Sequence, residues 1–202
     1  YPGYEAAIDS VYQRIQDRAY TPAFIGAEPL STGGLESYVP VLQDKEFVEM
    51  YGYHLYNFAE DTPIEETVSP LRSLSNFASG KPNIMTEYSR MEWFETARLI
   101  NNVVAEANAS GYIYWKGTWS GTNAMITVDY NGNYEVQPFY YVLKHFAKHV
   151  NEGYERIDVS TENGRLDVSG YKTPAGDKLT LILINPNAAQ TEATVNVSGA
   201  SP

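Results

Sequence analysis

The chain has 202 residues, 43% of them hydrophobic and 19% charged, enough for one cored domain or one and a half small ones. Its formal net charge of −11 repels nucleic acid phosphates and anionic membrane surfaces, so neither is expected as a partner. It has no cysteine, which excludes disulfides and thiolate metal sites, and no apolar run of about 18 residues that could span a bilayer.

Apolar residues at Ile8, Val11, Tyr12 and Ile15 have helical spacing and predict a helix over 4–18, stopped by Thr21 and Pro22. Residues 23–27 read as a short buried strand, followed by Glu28, Pro29 and a Ser-Thr-Gly-Gly loop. Residues 36–48 are mixed and part helical, and 50–56 (MYGYHLY) read as a strand. A helix over 64–78 carries Val68, Leu71, Leu74 and Phe77 on one face. The strand 83–86 delivers Glu87, and an amphipathic helix over 92–108 has Trp93, Ala97, Ile100, Val104 and Ala107 in register. Residues 111–115 are a further strand, and Pro138 opens a helix continued by Phe139, Val142, Leu143, Phe146 and Val150.

Up to about residue 150 this is an α/β alternation, which implies a parallel sheet covered by helices. The pattern then changes. Residues 155–161, 166–171, 178–185 and 192–198 read as strands separated by Asn-Gly, Ala-Gly-Asp and Asn-Pro-Asn turns. The expected division is therefore 1–152 and 153–202. An eight-stranded barrel needs about 250 residues and a sandwich about seven strands, so both modules read as incomplete. A segment of a larger enzyme is expected, with a complete small open-sheet protein as the alternative.

Glu87 is the first chemical candidate. A strand ending in a lone carboxylate between Thr86 and Tyr88 suits a barrel whose active site lies at its C-terminal strand ends. The bland alternative is a surface salt-bridge glutamate. His54 and Tyr56 lie in the preceding strand; His54 is either a hydrogen-bonded core histidine or a donor to a sugar hydroxyl or to the neighbour of Glu87. Trp115 and Trp119 bracket a Lys-Gly-Thr loop and suit either sugar stacking or packing, while Trp93 reads as structural. The 17 tyrosines fit both a sugar site and a β-rich domain. Glu28 is a tempting second carboxylate, because retaining glycosidases need two about 5–5.5 Å apart. His145 and His149 have a zinc-compatible spacing but lack the usual glutamate beside the first, so no metal is expected. No phosphate-cradling glycine motif and no nucleophile elbow occur.

In order and spacing, GAEP (26–29), YGYHLY (51–56), NIMTEYS (83–89), GYIYW (111–115), YYVLKHFAKHV (140–150) and GYERIDV (153–159) resemble glycoside hydrolase family 30, above all its bacterial xylanase branch. The resemblance runs from about residue 23. It implies an α/β fold: a (β/α)8 TIM barrel, with strands five to eight present here, followed by a partial all-β side sandwich. It also implies a secreted, cofactor-free enzyme that hydrolyses β-linked plant polysaccharide with retention, as an endo-β-1,4-xylanase on xylan or glucuronoxylan. Glu87 matches the nucleophile; His54, Tyr56 and Tyr88 would orient sugar and nucleophile; Trp115 and Trp119 would offer stacking surface. The family's proton donor sits in an Asn-Glu-Pro that this sequence lacks, and Glu28 matches a different position. The donor is expected from an N-terminal half-barrel segment of the same enzyme. Glucuronoxylan-specific members carry an arginine in the loop matching 116–124, where this chain has only Lys116. A uronate-independent xylanase, or an enzyme for β-glucan or galactan, fits that departure. A non-catalytic carbohydrate-binding fragment and a structural interaction module are the rival classes.

Overall fold

A computed structural model describes residues 3–20, 22–90, 92–161 and 166–198. The chain forms two compact units, Tyr1–Asn151 and Glu152–Pro202.

The first unit alternates helix and strand. Helix α1 (Tyr4–Ile15) leads to strand β1 (Phe24–Ala27), two short helices α2 (Thr32–Glu36) and α3 (Val39–Leu42), and strand β2 (Val48–His54). A 3-10 turn (Ile64–Thr67) runs into α4 (Val68–Phe77), then β3 (Asn83–Tyr88), α5 (Trp93–Glu106) and β4 (Tyr112–Tyr114). The four strands form one parallel sheet in the order β1-β2-β3-β4. This is a mixed α/β architecture with a partial, barrel-like core.

The Ser-Thr-Gly-Gly segment, expected as loop, starts α2 instead. The Ser31 hydroxyl accepts the Gly34 amide at 3.1 Å, which satisfies one orphan donor of the helix start. Leu71 and Leu74 of α4 are fully buried, as the periodicity of that segment predicts. On α5 the expected Ala97, Ile100 and Ala107 are buried, Leu99 and Val103 are buried beside them, Val104 is only half-buried and Trp93 is half-exposed. Leu99 and Val103 share the same four-residue spacing, so the sequence holds two adjacent apolar stripes. The sheet side is taken by the one that meets Met85, Tyr53 and Tyr88 in the core.

Segment 116–124, read as loop, contains the short strand β5 (Thr118–Trp119), which forms a small three-stranded sheet with β6 (Ile126–Val128) and β7 (Tyr134–Val136). Asp129 fixes the β6–β7 turn by accepting the amides of Asn131 and Asn133, and these bonds hold its carboxyl below the usual range, with the Asn133 side chain first among the causes. Helix α6 (Pro138–Ala147) closes the unit and ends before His149, so the histidine pair does not share a helix.

The second unit is an antiparallel sheet of β8 (Glu155–Ile157), β9 (Asp167–Lys172) and β10 (Leu179–Ile184), in the order β10-β9-β8. The β9–β10 turn is the expected one, with Gly176 at φ +72. The Asn-Gly turn predicted at 163–164 lies outside the described residues. Residues 192–198, expected as a strand, form none: they have the composition of a strand but no hydrogen-bonded ladder.

Candidate functional site

The chemistry-bearing residues gather at the C-terminal ends of the parallel strands. Glu28 follows β1, His54 ends β2 with Tyr56 just beyond, Thr86 and Glu87 lie at the end of β3, and Trp115 follows β4. Ligand sites in open α/β sheets and barrels lie at this edge.

The register of β3 aims Glu87. Tyr53 pairs with Met85, but the next residue, His54, pairs with Glu87, so Thr86 is inserted between paired positions. The pairing with β4 records the same extra residue, since Met85 and Tyr88 face Tyr112 and Tyr114. Such a bulge re-aims the side chains beyond it. The Thr86 hydroxyl shares its single hydrogen between Glu28 Oε2 at 2.8 Å and the Tyr53 carbonyl at 3.1 Å. Glu87 is half-buried, and its Oε1 accepts the Tyr56 hydroxyl at 2.7 Å. Partial burial first, and the Glu87 carboxylate second, push the Tyr56 hydroxyl well above the ordinary tyrosine pKa, so it stays a donor. Tyr56 keeps 44% of its surface exposed beside the carboxylate.

His54 does not reach Glu87. Its Nε2 lies 3.1 Å from Glu28 Oε2. Glu28 has φ +63, a left-handed conformation that costs a non-glycine residue about 1–3 kcal/mol and that marks functional positions when the surrounding structure enforces it. The enforcement is local. The Glu28 amide donates to the Gly52 carbonyl at 3.1 Å, and the amides of His54 and Tyr56 donate to Pro29 and Leu30, each at 2.9 Å. Segment 28–30 thus continues alongside β2 and fixes both side chains. A Cβ on Gly52 would overlap Glu28 Oε1 and would come 2.8 Å from Ile25 Cγ2, so only glycine lets the carboxylate lie there.

Tyr88, expected to orient the sugar, is 2% exposed and donates its hydroxyl to the Phe58 carbonyl at 2.8 Å. The inserted Thr86 shifts Tyr88 to the core side, three residues after buried Met85, which removes it from any sugar surface. Two residues on, Arg90 is 3% exposed and donates Nη2 to the carbonyls of Glu60 at 2.9 Å and Thr62 at 2.5 Å. Tyr88 and Arg90 therefore staple the loop that follows Tyr56 to the strand that carries Glu87. Sequence reasoning missed Arg90, Thr86 and Gly52; of these only Gly52, a glycine inside a strand, carried a signal.

Trp115 and Trp119 are both about half exposed. The Lys116 ammonium lies 4.6 Å from the centre of the Trp119 ring, so one approach to that face is occupied by a cation. Among the described residues no group of three or more His, Cys, Asp or Glu could hold a metal ion, and no helix is long and apolar enough to cross a membrane. A hollow of 530 Å³ in the second unit, lined by Val168, Leu181, Leu183 and Val195 with Glu192 as its one ionisable residue, offers no catalytic group pairing.

No known family profile matches the chain. Solved structures resemble it in fold. The catalytic domain of GH30 xylanase C from Talaromyces cellulolyticus matches with a TM-score of 0.68 at 16% identity, over 85% of this chain and 41% of that one. The endo-β1,6-glucanase BT3312 matches with a TM-score of 0.64 at 16% identity, over 85% of this chain and 43% of that one. A conserved exported protein from Bacteroides fragilis matches with a TM-score of 0.67 at 16% identity, over 78% of this chain and 40% of that one. The chain spans about two fifths of the length of these structures. At such identities the likeness defines a fold, one found in carbohydrate-acting and exported proteins.

Proposed function

We propose that this chain is the nucleophile-bearing part of a retaining β-glycan hydrolase of glycoside hydrolase family 30, acting as an endo-β-1,4-xylanase. The observation that carries the proposal is the Tyr56 hydroxyl donating to Glu87 Oε1 at 2.7 Å, at the C-terminal end of a parallel strand. In the proposed mechanism Glu87 attacks the anomeric carbon as the bond to the leaving oxygen breaks. A glycosyl-enzyme forms, and water then cleaves it. Tyr56 holds the attacking carboxylate in one orientation. Trp115 and Trp119 offer aromatic surface for sugar rings.

The proton donor is not assigned to Glu28, whose Oε2 is taken by His54 and Thr86. It comes instead from an N-terminal half-barrel segment of the same enzyme, which completes an eight-stranded barrel. The described strands supply positions five to eight, residues 153–202 supply part of a side sandwich, and the enzyme acts outside the cell. The motif order quoted above and the fold shared with a xylanase and a glucanase support this reading.

The test is reducing-sugar release from xylan, glucuronoxylan and a β-1,6-glucan, with Glu87→Gln beside the wild type and the upstream segment supplied. Release lost by several orders of magnitude in Glu87→Gln, with retained anomeric configuration in the wild type, is expected. Inverted configuration, or near-normal turnover in the variant, rejects Glu87 as nucleophile.

A further inference from the structure

We propose that Glu28 is a substrate-contacting acceptor: its carboxylate, held at Oε2 by His54 and Thr86, offers Oε1 to the hydroxyl groups of a neutral sugar. The proposal rests on the glycan-directed reading above and moves to Glu28 the sugar contact expected of His54.

Counting hydrogens carries the argument. His54 has two ring nitrogens. Nδ1 is buried without a hydrogen-bond partner, and Nε2 faces Glu28 Oε2 at 3.1 Å. A proton on Nδ1 would be a buried donor with no acceptor, whereas a bare Nδ1 lone pair is the cheaper orphan. The ring proton therefore sits on Nε2 and is donated to Glu28. His54 then has no donor left for a sugar.

Thr86 likewise commits its hydrogen to Glu28 Oε2 and the Tyr53 carbonyl, and Tyr56 commits its own to Glu87. Among the described residues, Glu28 Oε1 receives no donor, while the Glu28 side chain is 42% exposed. Two neighbours fix where the carboxylate points, and Gly52 alone leaves it room. The result is an oriented, charged acceptor at the same strand ends as the nucleophile. A carboxylate accepts hydrogen bonds and donates none, so it selects hydroxyl donors. A second anion beside Glu87 disfavours an acidic ring at that position.

The experiment compares Glu28→Ala, Glu28→Gln and Gly52→Ala with the wild type. Binding of β-1,4-xylo-oligosaccharides and β-1,6-gluco-oligosaccharides is measured by calorimetry with the upstream segment supplied, and the His54 tautomer by long-range ¹H–¹⁵N NMR without ligand. Expected are an Nε2-protonated His54 in the wild type and a mixture of tautomers in Glu28→Ala. Binding should weaken about tenfold or more in Glu28→Ala and in Gly52→Ala, where the new methyl evicts the carboxylate. Glu28→Gln, whose one amide oxygen can accept from His54 and Thr86 but then turns an NH2 toward the sugar, should restore the tautomer without restoring the affinity. Amide dispersion equal to wild type checks each fold. An Nδ1-protonated His54, or unchanged affinity in folded Glu28→Ala, overturns the proposal. The expected tautomer with no binding of either oligosaccharide by the wild type overturns the glycan reading and the acceptor role with it, leaving Glu28 only as the partner of His54.

Discussion

Tyr56 donates its hydroxyl hydrogen to Glu87 Oε1 at 2.7 Å, although 31 residues separate the two in sequence. Their meeting depends on two backbone devices. The insertion of Thr86 turns Glu87 away from the core side, and the ladder from segment 28–30 holds the end of β2. The tyrosine ring also packs edge-on against Tyr88 at 5.5 Å, which limits its swing.

Tyr56→Phe removes the hydrogen bond and keeps the ring. A hydrogen bond to a charged group contributes about 1.5–3 kcal/mol, so turnover should fall about tenfold to hundredfold with the fold intact. Steady-state kinetics on the glycan that the wild type cleaves checks this. An unchanged kcat would show that the orientation of Glu87 does not depend on Tyr56.

The same contact makes an alkaline prediction. Burial, then Glu87, raises the folded pKa of Tyr56 above its unfolded value near 10. Its contribution to stability is therefore fully present below about pH 10 and is lost as pH rises through the folded value. Ultraviolet titration of Tyr56→Phe against wild type should show the loss of a component that ionises above the ordinary tyrosine range. Loss of a component within the ordinary range would mean that the hydroxyl faces water and not the carboxylate.

Much of the first unit was legible in its sequence because strand and helix differ in apolar period. The runs expected at 50–56 and 83–86 fold as strands Val48–His54 and Asn83–Tyr88, and the three-residue spacing of Leu71 and Leu74 does put both in the core. The bulge was not legible, since a one-residue offset in pairing leaves composition untouched. Strict alternation from Met85 would send Glu87 to the core side and Tyr88 to the other; the offset exchanges them, and with them the expected role of Tyr88. Strands of two or three residues, as at Thr118–Trp119 and Tyr134–Val136, are too short to show a period, and the alternation over 192–198 shows one without a partner strand. The role of Glu28 was hidden for another reason. It depends on a backbone angle and on the space above Gly52, neither of which is a pattern along the chain.

Leu74 is fully buried between α4 and the sheet core. Leu74→Ala should cost about 2–5 kcal/mol, because the cavity adds to the lost transfer energy. Urea unfolding followed by tryptophan emission measures it, since all three tryptophans lie in the first unit. A cost below about 1 kcal/mol would place Leu74 at a surface.

The staple formed by Tyr88 and Arg90 separates two meanings of a lost tyrosine hydroxyl. Tyr88→Phe frees the Phe58 carbonyl, and Arg90→Met frees those of Glu60 and Thr62. The freed Phe58 carbonyl is buried and costs about 1–3 kcal/mol, while the part-buried carbonyls of Glu60 and Thr62 cost less because water can reach them. Arg90→Met is partly offset, because it also removes Nε and Nη1, two buried donors that lack partners. Amide hydrogen exchange over residues 57–63 should quicken in both variants, while amides of β3 exchange as in wild type. Because the loop begins at Tyr56, kcat should fall in the direction of Tyr56→Phe with KM nearly unchanged. A raised KM with kcat and loop exchange unaltered in Tyr88→Phe would mean that Tyr88 meets the sugar directly, as its position beside Glu87 suggests from sequence, and that the buried contact with Phe58 is wrong.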